Sequence, residues 1–262
     1  FLSMLKLTWI ILNIIFNGGC VMVQKLLYFA TLSLLLGLII NSSAVAGLIA
    51  SYDFESNFKD SSGNGLHGKQ NGDASIIKDA DRKNQVLSLD GKGDYVNIGN
   101  DKRFNWNGAF SACFWMKVTL WQANWDTVIK KDGAWSFERH INQNALAFYH
   151  WPNFVPTVAN TDDQWHHIAA TYAKKEQKLY KDGELVVNKP NAGDMNENAN
   201  PVIIGAANGT SRYFNGLLDD VRIYDNALSE DEVKKDMAAM ERLSTNLAHK
   251  LALTWGRIKI SR

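Results

Sequence analysis

The sequence predicts an all-β protein, a two-sheet antiparallel sandwich with a short C-terminal helix. Three observations carry this. From Trp165 to Asn188 the chain reads as three strands in about two dozen residues. Trp165, His167, Ala169 and Thr171 share one face of the first strand, and His166, Ile168, Ala170 and Tyr172 share the other. Asp182-Gly183 then tolerates the positive φ of a type I′ hairpin turn between Lys178–Lys181 and Glu184–Asn188. Elsewhere, short apolar runs alternate with turn residues at regular spacing, which points to a sandwich rather than to βαβ units. The composition agrees: 11% aromatic with nine Trp and only four Pro, as large packed faces require.

The predicted strands follow in order. Leu48–Phe54 packs through Ile49, Tyr52 and Phe54. Asp60–Gly72 is a loop dense in Gly, Asn, Ser and Asp. Val86–Leu89 and Tyr95–Ile98 flank Asp90-Gly-Lys-Gly-Asp94, and Phe110–Val118 is a long apolar strand. Thr127–Lys130, Trp135–Arg139 and Ala145–His150 precede the central meander. A polar loop, Pro190–Pro201, leads to Val202–Gly205 and Leu217–Tyr224. Ser229-Glu-Asp-Glu232 is a capping box that opens a helix through about Arg242. Residues 230–262 form a helical C-terminal extension.

Before Leu48 the chain holds two hydrophobic runs. Met22–Lys25, Leu26–Ile40 and Asn41–Ala46 have the charged, apolar and Ala-x-Ala regions of a signal peptide over residues 22–46. Leu5–Phe16 is short for a span of about 20 residues. Gly18-Gly19 implies codons that read as a ribosome-binding site ahead of Met22, so residues 1–21 are expected to be an over-extended gene start. A lipid-modified Cys20 is the rival reading, against which Asn17 stands where that motif wants Leu. The expected location is secreted, extracellular or periplasmic, with no stable membrane span in the mature protein. Cys113 would be its single thiol, a small buried hydrophobe in Ser-Ala-Cys-Phe-Trp. The net charge of +1 over 262 residues, with no basic cluster, excludes a nucleic-acid footprint.

Several blocks carry a family resemblance. Trp165-His-His-Ile-Ala-Ala-Thr-Tyr172 and Leu179-Tyr-Lys-Asp-Gly-Glu-Leu-Val186 resemble the central signature of laminin-G-like domains of the concanavalin A-like lectin/glucanase superfamily. Ser51–Glu55, Asp60–Gly68, Leu87–Val96, Phe110–Lys117, Val202–Gly205 and Phe214–Ser229 agree in order and spacing. The likeness covers about Leu48 to Ser229, within a domain placed at residues 47–229. It implies a jelly-roll form of the sandwich, and with it a polysaccharide or glycoconjugate glycan as partner. A glycan-degrading enzyme and an adhesion module that binds a cell-surface protein are the alternatives.

The candidate site residues fall into three groups. Trp121, Trp125, Tyr149 and Trp151 cluster in sequence as a sugar platform, with the three Trp expected to be exposed among polar or Pro neighbours; the bland alternative is that they brace the core. Glu55, Asp60, Asn64 and Asp219 are candidate ligands of a structural calcium ion, by their oxygens and by the resemblance, which brings the Asp60 loop near Asp219. The alternative there is that Asp60 and Asn64 make Asx turns and Asp219 pairs with Arg222. For catalysis, the superfamily's Glu-x-Asp-x-x-Glu pattern is absent. Asp53 and Glu55 are the only i,i+2 carboxylate pair in a strand-like context, with Cα atoms about 6.5–7 Å apart. No catalytic residue is assigned and the expected function is non-catalytic. His166 and His167 point to opposite faces and cannot share a ligand, and His167 is expected in the core.

The exported protein is expected to begin at Gly47, since Ala44 and Ala46 supply the small residues that signal peptidase reads. Mass spectrometry of secreted protein tests this; an intact Met22–Ala46 segment would overturn it.

Overall fold

The computed structural model describes residues 47–105, 108–152, 157–173, 176–190 and 192–239. The expectations for residues 1–46 and for the tail beyond residue 239 lie outside the described residues. No described helix is long and apolar enough to cross a membrane.

The chain runs through β1 (Leu48–Tyr52), β2 (Lys69–Asn71), β3 (Ser75–Lys78), β4 (Gln85–Asp90) and β5 (Tyr95–Asn97). After a 3-10 turn come β6 (Ala109–Leu120), β7 (Thr127–Lys131), β8 (Trp135–Arg139), β9 (Ala145–His150) and β10 (Thr157–Asn160). The meander is β11 (His166–Ala173), β12 (Glu176–Lys181) and β13 (Glu184–Pro190), followed by β14 (Val202–Ile204) and β15 (Asn215–Tyr224). Helix α1 covers residues 230–239 among those described.

These strands form two antiparallel sheets. The first is eight-stranded, in the order β13-β12-β11-β6-β15-β4-β3, with β1 also paired to β15. The second is seven-stranded, in the order β10-β9-β8-β7-β14-β5-β2. The meander forms as its alternation predicts, and Asp182 and Gly183 take φ of 53° and 79°, the paired positive values that a I′ turn needs. The short strands β2, β3 and β10 were not expected, because Lys69–Asn71, Ser75–Lys78 and Thr157–Asn160 lack a continuous apolar alternation.

Between the sheets lies the main core. Phe110 of β6 meets Trp135 and Phe148 of the opposite sheet at ring distances of 5.4 and 5.7 Å, and Phe114 meets Phe137 at 4.9 Å. A second, smaller cluster covers the outer face of the first sheet: Cys113, Trp115, Ala169, Tyr180 and Tyr224 pack under Leu228 and Val233, with Met237 against them. This is the apolar face of α1. Its start is the expected capping box, with Ser229 N–H donating to Glu232 Oε2 at 2.8 Å and Glu232 N–H to Ser229 Oγ at 3.3 Å. Cys113 is fully buried, as is His167.

Candidate functional site

The outer face of the second sheet gathers aromatic and polar side chains. Alternation in Trp135-Ser-Phe-Glu138 sends Trp135 and Phe137 into the core and Ser136 and Glu138 outward. Ser136 lies opposite Lys130 on β7 and Tyr149 on β9, so all three side chains share that outer face. Lys130 Nζ binds Glu138 Oε1 at 2.8 Å and Asp132 Oδ1 at 3.2 Å, and sits 5.2 Å from the centroid of the Trp151 ring. Trp125, held at φ 68° in the β6–β7 loop, packs its ring 5.5 Å from Tyr149. Tyr149 OH is 2.6 Å from His140 Nδ1. Burial, with help from the charge of Glu138, raises the Tyr149 phenol above its ordinary range and keeps it neutral. Trp125 and Trp151 are half-buried, whereas Tyr149, Lys130, Ser136 and Glu138 are buried beneath them. Ser136 Oγ has no hydrogen-bond partner.

Of the four predicted platform aromatics, Trp125 and Tyr149 pack together and Trp151 shares their sheet face beside Lys130, whereas Trp121 lies elsewhere. Trp121 was expected to be exposed, but it is only 8% accessible. Its ring packs 5.7 Å from Phe214, and Nε1–H donates to Thr161 Oγ1 at 3.0 Å. The polar neighbours that suggested exposure turn away, because Asp126 accepts from Gln122 N–H and Ala123 N–H and folds the loop back. One edge of Trp121 lines a pocket of about 190 Å³ with Asn144, Thr161, Asp162 and Asp163. Tyr149 is likewise inaccessible as a stacking face. Lys130, Ser136 and Glu138 were missed, although the alternation of Trp135–Glu138 carried the signal.

The four expected calcium ligands separate into two pairs. Asp60 serves its own loop: Oδ1 accepts from Ser51 N–H and Ser62 N–H at 3.0 and 2.9 Å, and Oδ2 from Leu66 N–H at 3.0 Å. Burial pushes its carboxyl up, and these hydrogen bonds outweigh that and hold it below the ordinary range. Asn64 donates to Leu48 O and Ile49 O, pinning the same loop to β1. Asp60 makes the Asx turn of the alternative reading through Ser62 N–H, whereas Asn64 serves instead as a donor to β1.

Glu55 and Asp219 lie in another group, built around Arg82 from the β3–β4 connection. Arg82 donates to Asp219 Oδ2 from Nε and Nη2 at 3.1 and 3.0 Å, and to Asp220 Oδ2 at 3.1 Å. Asn84 donates to Asp219 Oδ2 at 3.0 Å and is hydrogen-bonded to Glu55. The guanidinium lies over Trp115, 4.3 Å from the ring centroid. Arg222, the expected partner of Asp219, instead binds Asp236 at 2.8 Å. Clustered carboxylates need a cation, and here the chain supplies one itself. Asp53 and Glu55 do not share a strand face, because β1 ends at Tyr52 and Phe54 turns at φ 48°.

A family model described as the concanavalin A-like lectin/glucanases superfamily matches residues 90–234. The chain belongs to the concanavalin A-like lectin/glucanases superfamily. A comparison with curated proteins finds no match. Among solved structures, the superfamily fold recurs in the binding domain of Paraclostridial Mosquitocidal Protein 1. It is 19% identical, with a TM-score of 0.60 over 72% of this chain and 51% of that one. Domain 4 of AbnA, a GH43 extracellular arabinanase from Geobacillus stearothermophilus solved with arabinotriose, is 22% identical with a TM-score of 0.57, over 73% of this chain and 98% of that one. The botulinum neurotoxin DC binding domain, solved with rat synaptotagmin II, is 15% identical with a TM-score of 0.60, over 74% of this chain and 52% of that one. The chain thus spans about half the length of the two toxin binding domains it matches. At these identities the likeness establishes the fold.

Within this superfamily fold, Asp219 and Asp220 form a buried pair at a β-bulge in β15. Desolvation first, and for Asp220 the neighbouring Asp219 charge second, raise both carboxyls above the ordinary 3.8, against the pull of Arg82. The folded state therefore holds a proton that the unfolded chain releases, and stability falls as pH rises from about 4 toward the raised values. Asp220 occupies φ 49°, a conformation Asn tolerates. Asp220→Asn is expected to flatten that decline, read as urea unfolding free energies between pH 5 and pH 8; an unchanged slope would refute the assignment.

Proposed function

We propose that the chain is a secreted, non-catalytic carbohydrate-binding module that takes a glycan on the outer face of its second sheet. The observation that carries this is that two half-buried tryptophans share one sheet face, Trp125 packed on Tyr149 and Trp151 over Lys130, which pairs with Glu138. Their rings offer apolar faces to the apolar faces of sugar rings, and the part-exposed Asp132 carboxylate beside them offers acceptors to hydroxyls, while the buried Ser136, Lys130 and Glu138 support the face from within. Glycoside hydrolysis uses two carboxylates with distinct acid and base roles. Here Glu138 and Asp132 share one ammonium, an arrangement that supports binding over hydrolysis. The arabinotriose in one similar structure and the synaptotagmin in another favour a binding role in the same way, and leave a cell-surface protein as the second class of partner.

Base–aromatic stacking, the nearest measured analogue, contributes about 1–3 kcal/mol per ring. Trp125→Ala and Trp151→Ala are each expected to weaken glycan binding about tenfold or more on an array or by calorimetry, with the melting temperature held. Unchanged affinity in both variants removes this site, and release of reducing ends from a polysaccharide would replace the module with an enzyme.

A structural calcium ion belongs to the same proposal on a narrower basis than the sequence offered. Asp60 and Asn64 drop out as ligands. Asp53, Glu55, Asp219 and Asp220 interact around one arginine, a surplus of carboxylate that a hard oxygen-seeking cation would offset. Calcium at 100 times its Kd is expected to stabilise the metal-stripped protein by about 2.7 kcal/mol. A melting temperature indifferent to calcium and chelator rejects it.

A further inference from the structure

Beneath α1, on the outer face of the first sheet, three side chains from three elements converge. Cys113 on β6 and His167 on β11 are diagonal neighbours, because His167 pairs with Trp115 and Ala169 with Cys113. Asp236 descends on them from α1. One ligand atom from each, Sγ, an imidazole nitrogen and a carboxylate oxygen, lies within 4.8 Å of the others.

The group is closed, the Cys113 thiol is hydrogen-bonded to Asp236, and three of its polar atoms have no hydrogen-bond partner. Cys113 and His167 are 0% accessible and Asp236 is 8% accessible. Neither ring nitrogen of His167 has a hydrogen-bond partner, and neither does Asp236 Oδ2, which lies 3.9 Å from His167 Nε2. Asp236 Oδ1 is already used: it accepts from Arg222 Nη1 at 2.8 Å and from the Tyr224 hydroxyl. A buried imidazole with two orphaned nitrogens is costly unless something else occupies the space it faces.

We infer that Cys113, His167 and Asp236 form a zinc site that staples α1 to the outer face of the first sheet. Thiolate, imidazole and carboxylate make the mixed S, N, O set that zinc takes at about 2.0–2.3 Å. Ligands at such distances from one tetrahedral centre lie about 3.3–3.8 Å apart, so the three need to close by about 1 Å. On binding, the Cys113 S–H bond breaks, its electron pair becomes the Zn–S bond, and the proton leaves to solvent; no redox change occurs. Thiolate and carboxylate balance the divalent charge, and Asp236 keeps Oδ1 for Arg222 while Oδ2 turns to the metal. A water completes the fourth position. The site is remote from the proposed glycan face and independent of it.

Cobalt(II) is the probe, because thiolate ligation gives a charge-transfer band and tetrahedral geometry gives intense visible bands. Full-length protein freed of metal by a chelator is expected to take up one equivalent of cobalt with both signatures, to lose them on adding zinc, and to melt higher with zinc than with chelator. Cys113→Ala, a small change in a buried site, should abolish the thiolate band with the circular dichroism of the fold retained. Loss of even an outer-shell partner weakens a metal site about 10–100-fold, so Asp236→Asn should weaken cobalt binding by at least tenfold. Folded wild-type protein that shows no cobalt bands, as a buried water in this space would give, overturns the inference. So does cobalt bound without the thiolate band, or stabilisation by calcium but not by zinc.

Discussion

The fold depends on β15, the last strand among the described residues and a central strand of its sheet. Along one edge it pairs with β6, and along the other with β4 and then β1. The first sheet therefore cannot close until the 177 residues from Leu48 to Tyr224 are in place. Such pairings are entropically late, because loop closure precedes the contacts that reward it. β15 also carries two carboxylates into a buried layer, and Arg82 reaches Asp219 across 137 residues to meet them. Removing one partner of a buried pair strands the other charge and costs about 3–5 kcal/mol. Backbone pairing and charge pairing thus fix β15 together.

Both sheets use their outer faces alike. On the first, Arg82 lies against Trp115 and 5.6 Å from the centroid of Trp165 while it binds two aspartates. On the second, Lys130 lies against Trp151 while it binds Glu138 and Asp132. Rings exclude water and carboxylates hold the cation, so each charge is desolvated without being left unpaired. The faces differ in their cover. Helix α1 packs over part of the first, whereas Trp125 and Trp151 on the second keep part of their surface in solvent.

What the sequence made legible was local. The period of two placed β6 to β9, the meander and β15 within a few residues, and the capping box marked the start of α1. His166 and His167 part to opposite faces, His166 between Asp162 and Asp182 and His167 in the interior. The site was legible only as a cluster of tryptophans. Whether each ring pointed to solvent turned on contacts far along the chain. Trp121 is drawn inward by Phe214 and Thr161, and no neighbour within five residues announces either. Arg82 escaped notice for the same reason: it sits in an ordinary polar connection, and only the pairing of β4 with β15 delivers it to Asp219.

One consequence lies in how the domain is threaded. Leu48–Tyr52 runs antiparallel to Val221–Tyr224, and Gly47 N–H and Asp225 N–H tie the two together through Asp225 Oδ1 and Gly47 O. The first and the last described strands of the sandwich thus lie side by side within one sheet. A module with adjoining ends can be spliced into a surface turn of a host, or strung in tandem, with its far loops undisturbed and its two gates sharing a single clasp.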